Sequence, residues 1–188
     1  EESPRVSDID PVRSAIGQGT NSYTTVGLAR YVSTIANEGT CYNLTLLDKV
    51  VDSDGNVLEE FDATVRNTVD LPDQFWNAAH SGMRQVVANK SYFGDLGVNV
   101  AGKTGTAQIK AEKVYSATFI GYFPAENPKY TIYVMLTDLY HEYYASTVAA
   151  PVARTIADKI YAIDKSFFKT ITVDSTKKTL DEIICNLN

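Results

Sequence analysis

Three strand-like runs follow one another between residues 98 and 137, and the shortness of the links between them constrains the fold more than any other feature. The runs cover 98–109, 115–122 and 130–137. Lys110-Ala-Glu-Lys113 joins the first two, and Pro124-Ala-Glu-Asn-Pro128 lies between the second and the third. Parallel neighbours need a crossover of a dozen or more residues, so links this short favour an antiparallel meander. The third run, Tyr130-Thr-Ile-Tyr-Val-Met-Leu136, is rich in β-branched and aromatic residues, as suits a central strand.

Helices are expected on either side of this meander. Over 24–39, Leu28, Val32, Ile35 and Ala36 recur at helical spacing, with Thr24 as N-cap and Gly39 as the left-handed residue at the end. Over 70–88, Asp70 and Pro72 mark a start, and Phe75, Ala79, Met83 and Val86 recur on one face. Over 146–163, Val148, Val152, Ile156, Ile160 and Ile163 form a stripe, with Ser146 or Thr147 as cap and Pro151 early enough to be tolerated. Between the first two helices, 44–61 reads as a hairpin, with Asp54-Gly55 as a type I′ turn. Residues 1–23 and 89–99 read as loops, and 164–188 as a tail in which Leu180, Ile183, Ile184 and Leu187 suit a short amphipathic helix. Strands followed by a long helix imply an α+β fold, with helices packed on an antiparallel sheet.

Composition excludes several functions. Lys plus Arg is 17 against 23 Asp plus Glu, a net charge of −6 with no long basic run, which disfavours nucleic acid as a partner. No stretch of 18 apolar residues is present, so nothing reads as a membrane span. Cys41 and Cys185 lie far apart, and His80 and His141 have no metal-ligand spacing. No metal site is expected from this spacing. His80 reads as a helix-surface residue, His141 as a loop residue and Trp76 as packing.

Gly102-Lys103-Thr104-Gly105-Thr106-Ala107-Gln108, entering the first strand of the meander, carries the chemistry. Alternate side chains of a strand share a face, so Lys103 and Gly105 point one way, Thr104 and Thr106 the other. Gly105 lets a ligand approach the backbone closely. An open strand edge can take an extended peptide as a further strand. Two hydroxyls and an ammonium can hold a carboxylate, and backbone N–H groups can serve an oxyanion.

This motif and its neighbours resemble the C-terminal half of the transpeptidase domain of class B penicillin-binding proteins. Lys-Thr-Gly is the third of three elements shared by these proteins and class A β-lactamases. Further segments resemble the family in its order: Ala15-Ile-Gly-Gln-Gly19, the helix ending Ile35-Ala-Asn-Glu-Gly39, the hairpin Asp52-Ser-Asp-Gly-Asn-Val-Leu58, Gly82-Met83 with Val86-Val87, Phe119-Ile-Gly-Tyr-Phe-Pro124 and Asn127-Pro-Lys-Tyr130. The resemblance spans 1–163 and leaves 164–188 as an uncertain tail. It implies a peptidoglycan D,D-transpeptidase that acylates a serine with a D-Ala-D-Ala stem peptide and is inhibited by β-lactams. It assigns catalysis to Lys103, through a proton relay, and to the Thr106 N–H, in the oxyanion hole. Substrate binding falls to Thr104, Gly105, Thr106, Ala107 and Gln108. The setting implied is the outer face of a bacterial cell membrane, with the anchor outside these residues. A β-lactamase or a β-lactam sensor resembles the sequence less, because of the Ile-Gly-Gln-Gly loop and the Asp-Gly hairpin.

The family's Ser-x-x-Lys and Ser-x-Asn elements precede everything matched here. Ser-x-Asn is absent, and Ser-x-x-Lys occurs only at Ser166 and Ser175, after the Lys-Thr-Gly strand, where it reads as coincidence. The chain is therefore expected to supply one wall of the site and to be inactive alone. It would work with the missing N-terminal half of the domain or through a homo-oligomer contact, since the edge of the 130–137 strand would otherwise stand open. Residues 170–173 are β-branched enough to cover that edge instead. The alternative is a non-catalytic binding or scaffold domain on the same fold, which a Ser-x-x-Lys upstream in the gene would exclude.

Overall fold

A computed structural model describes residues 10–15, 23–89, 93–110, 114–140 and 144–164. Its elements are α1 (Asp10–Ser14), α2 (Thr25–Ala36), β1 (Thr40–Tyr42), β2 (Lys49–Val51), β3 (Val57–Glu60), β4 (Val65–Thr68), α3 (Asp73–Ala88), β5 (Ala101–Lys110), β6 (Val114–Phe123), β7 (Tyr130–Leu139) and α4 (Ala145–Ile163). The expected meander is present: β5, β6 and β7 form an antiparallel sheet in that order. Residues 170–173, Ser166, Ser175, Cys185, His141 and the Ile16-Gly-Gln-Gly19 loop lie outside the described residues.

Strand alternation sorts the sheet into two faces. Ala117, Phe119, Ile132 and Val134 turn to α4 and pack with its Ala145, Ala149, Ala150, Ala153 and Ala157. Ala101 and Tyr122 turn to the other face, where Val32 and Ala36 of α2 and Met83 of α3 meet them. The stripe expected on α4 is not the one that packs most deeply. Five alanines are buried, whereas Val152, Ile156 and Ile163 are 42%, 38% and 75% exposed. Close approach of a helix to a sheet selects small side chains at the contact, which hydrophobicity alone does not reveal. Val148 and Ile160 flank the core half-buried. The cap also differs: Tyr144 is the N-cap, and Thr147 Oγ1 donates back to its carbonyl at 2.7 Å.

Local rules hold at the start of α2 and shift at its end. Thr24 Oγ1 accepts the Gly27 N–H at 3.1 Å, as an N-cap should. The left-handed residue closing the helix is Glu38 (φ +50°), followed by Gly39 (φ +98°). Their N–H groups bond Ile35 O and Thr34 O, the two bonds of a Schellman motif. Gly39 is also needed for space, since a Cβ there would overlap the Val69 carbonyl and touch Trp76.

The hairpin is shorter than 44–61, and its turn is not type I′. Only Gly55 has positive φ in the turn, and its N–H bonds Asp52 O, so a type I turn is followed by a left-handed glycine. The Asp52 carboxylate explains the preference. It accepts the N–H groups of Asp54 and Asn56 and the Asn56 side-chain amide, each at 2.9 Å. These bonds, the Asn56 side chain foremost, lower its pKa below the usual aspartate value. A second ladder, β1 with β4, joins segments more than twenty residues apart and was not legible in the sequence.

On α3 the expected Ala79, Met83 and Val86 are half-buried on the packed face, which also takes in residues outside that stripe. Val87 is buried, Phe75 is exposed, and Trp76 and His80 are half-buried. His80 is thus no surface residue. Its Nε2 lies 2.7 Å from Ile35 O, and its ring stands edge-on to Tyr122 at 5.5 Å. Tyr122 is fully buried, and among the described residues its hydroxyl has no partner. Burial, helped by the Glu38 charge, pushes its pKa up to about 12. The unfolded chain therefore loses this proton from about pH 10 while the folded chain keeps it, so stability falls as pH rises from 10 to about 12. Tyr122→Phe is expected to abolish that component of the alkaline loss. At pH 7 it should be neutral or stabilising by about 1 kcal/mol, because an unpartnered buried hydroxyl is removed. Urea denaturation at pH 7 and pH 11 measures both.

Candidate active site

β5 is an edge strand of the sheet among the described residues, and it is held from beneath by glycines. Gly102 stands opposite Gly121, and the Phe119 ring fills the space that both leave. A Cβ on Gly102 would overlap that ring, and one on Gly121 would come within 2.5 Å of Ala101 O. The expected alternation is present. Thr104 pairs with Phe119 and Thr106 with Ala117 on the α4 face, while Lys103 pairs with Ile120 and Gly105 with Thr118 on the other.

The backbone groups of β5 can be assigned a direction. Thr118 Oγ1 donates to Gly105 O at 3.2 Å, so the Gly105 carbonyl faces β6. On an antiparallel edge strand successive residues face opposite ways, so the N–H and C=O of Thr104 and Thr106 point out of the sheet. Lys103 agrees with this, since its exposed Nζ donates to Thr104 O at 2.7 Å. A Cβ at Gly105 would lie 2.7 Å from Thr118 Oγ1, so this position favours glycine for a reason internal to the sheet as well.

The two threonines differ. Thr104 is half-buried beside Phe119. Thr106 is exposed, and its Oγ1 accepts the N–H of Ala145 at the start of α4 at 3.1 Å. Ala107 is half-buried and Gln108 exposed. The strand thus brings an ammonium, a hydroxyl and outward-facing N–H groups to one edge, an arrangement suited to an extended peptide that ends in a carboxylate. Sequence reasoning missed Ala145 altogether. It is an apolar residue 39 positions from its partner, and only its main chain takes part.

Elsewhere, an apolar groove of about 440 Å³ between α2, β4 and α3 is lined by Tyr31, Cys41, Val69, Leu71 and Trp76 among others, and Cys41 is a free, buried thiol. Among the described residues there is no cluster of three or more metal-ligating side chains. No described helix is long and apolar enough to cross a membrane.

The penicillin binding protein transpeptidase domain model matches residues 3–158. Penicillin-binding protein 2A of Bacillus subtilis (strain 168) is 30% identical over 186 residues, covering 89% of this chain and 26% of that protein. The peptidoglycan D,D-transpeptidase MrdA of Haemophilus influenzae is 30% identical over 170 residues, covering 79% and 25%. The chain therefore spans about a quarter of the length of these relatives. Among solved structures, penicillin-binding protein 2B from Streptococcus pneumoniae (strain R6) superposes with a TM-score of 0.69 at 23% identity, over 88% of this chain and 28% of that one. Pseudomonas aeruginosa PBP2, solved in complex with WCK 5153, gives 0.65 at 28% identity, over 83% and 34%.

Proposed function

Since the chain belongs to the penicillin-binding protein transpeptidase domain family, with the penicillin-recognising fold, we propose that it forms one wall of the active site of a peptidoglycan D,D-transpeptidase. The observation that carries this reading is β5 as an edge strand among the described residues, with the Lys103 ammonium, the Thr106 hydroxyl and the outward N–H of Thr106 along it. The peptide substrate lies antiparallel to that edge, against Gly105, Ala107 and Gln108. The hydroxyls of Thr104 and Thr106 hold its terminal carboxylate. A serine from a segment outside these 188 residues attacks the penultimate D-Ala carbonyl. The Thr106 N–H and the serine's own N–H stabilise the oxyanion. Lys103 carries the proton between that serine and a second serine of the Ser-x-Asn type. Terminal D-Ala leaves, and an amine of a neighbouring stem peptide resolves the ester. A β-lactam enters the same place and leaves a slowly hydrolysed ester. The reaction needs no metal or organic cofactor. It takes place at the outer face of a bacterial membrane.

Exposed apolar side chains on α2, α3 and α4, among them Tyr31, Phe75, Val152 and Ile156, suit contact with such a second segment. Intact mass after incubation with a penicillin tests the division of labour. The expected result is no adduct on this chain alone, and an adduct on the serine-bearing segment once the two are combined. An adduct on this chain alone would overturn the assignment of the nucleophile. No adduct in a folded, associated mixture would favour a non-catalytic scaffold.

A further inference from the structure

We propose that the first main-chain N–H of α4, that of Ala145, is a positioning group for the reaction: it holds the Thr106 hydroxyl as a committed hydrogen-bond donor to the ligand's carboxylate. The inference rests on the reading of Thr106 given above and adds to it a group that no side-chain pattern would disclose.

Threonine Oγ1 accepts at two lone pairs and donates one proton. The Ala145 N–H occupies one acceptor site of Thr106 at 3.1 Å. The hydroxyl proton therefore points away from α4. The residue paired with Thr106 across the sheet is Ala117, fully buried and without a side-chain acceptor. Thr106 itself is exposed, so the donated proton is available to a ligand at the strand edge.

Three features make the Ala145 bond dependable. Ala145 is 2% exposed, so water does not compete for its N–H. The N-cap residue, Tyr144, makes no side-chain cap bond, which leaves Thr106 as the cap from another element. The helix runs 19 residues, so the positive end of its dipole lies at this N–H. A hydroxyl that accepts from such a group becomes a better donor, because hydrogen bonds in a chain polarise one another. The α4 N-terminus thereby favours an anion at the strand edge without touching it. The consequence is selectivity for a free carboxylate over its neutral ester.

Second-order acylation rates of the assembled enzyme, with penicillin G and with its carboxylate methyl ester, provide the test. Thr106→Val is expected to lower the acid-to-ester rate ratio by on the order of tenfold or more. Ala145→Pro deletes the N–H at the first helical position, where proline is tolerated, and Tyr144 already has the extended backbone (φ −66°, ψ 130°) that a following proline requires. It is expected to lower the acid-to-ester ratio by about threefold to tenfold. Replacing Ala145 by lactate, which turns the amide into an ester of the same shape, should do the same, and it decides the matter if the proline variant melts at a lower temperature. Thr106→Ser should keep the wild-type ratio. An unchanged ratio in Thr106→Val would overturn the carboxylate role of Thr106 itself. A ratio lost in Thr106→Val but kept in both Ala145 replacements would overturn the role of α4 alone.

Discussion

Lys103→Ala is expected to slow β-lactam acylation of the assembled enzyme by about 10²–10⁴-fold, the range typical for loss of a positioned acid–base group. The structure separates this from any effect on folding. Lys103 is exposed, and its Nζ bonds Thr104 O, an outward-facing carbonyl at the strand edge. Removing it creates no cavity, so the stability of this chain should change by no more than about 0.5 kcal/mol. In the proposed relay the ammonium turns from Thr104 O toward the reacting hydroxyl once substrate occupies the edge. Lys103→Arg keeps the charge but cannot release a proton near neutral pH, and it should recover only part of the rate. Stopped-flow acylation with a fluorescent penicillin measures all three proteins. A loss of less than about threefold in Lys103→Ala would remove Lys103 from the proton relay.

Phe119→Ala should destabilise the chain by about 3–5 kcal/mol. Domain stabilities are themselves only about 5–15 kcal/mol, so this variant sits near the limit of folding. Phe119 is 1% exposed, stacks on Phe93 with centroids 5.7 Å apart, and fills the room made by Gly102 and Gly121. Truncation leaves a void bordered by Gly102 and Gly121, which have no side chain to fill it. The effect reaches the site because Thr104 lies directly opposite Phe119 on β5. Urea denaturation of the 188-residue chain gives the number, and a cost under about 1 kcal/mol would contradict this account of the β5–β6 packing.

The meander, the faces of β5 and the cap of α2 were legible because each depends on neighbours in the chain. Short links dictate antiparallel strands, and a period of two dictates that Thr104 and Thr106 share a face. Thr24 reaches only three residues to Gly27. The Asp54-Gly55 signal was right about a hairpin and wrong about its turn. What decides the turn is the Asp52 carboxylate gathering three N–H groups, a contact of side chain with backbone that dipeptide preference does not encode.

What the sequence by itself determined is therefore the order and type of local elements, together with the motif that names the family. It could not decide which stripe of α4 meets the sheet, because alanine and isoleucine are both apolar and only the spacing between helix and sheet distinguishes them. It could not reveal that His80 bridges to Ile35, that β1 pairs with β4, or that Thr106 receives the Ala145 N–H. Those contacts join residues far apart in the chain, and their partners are largely backbone groups, which every residue carries alike. Composition and spacing cannot mark one N–H out from the rest; only the packing of α4 against β5 and β6 selects it.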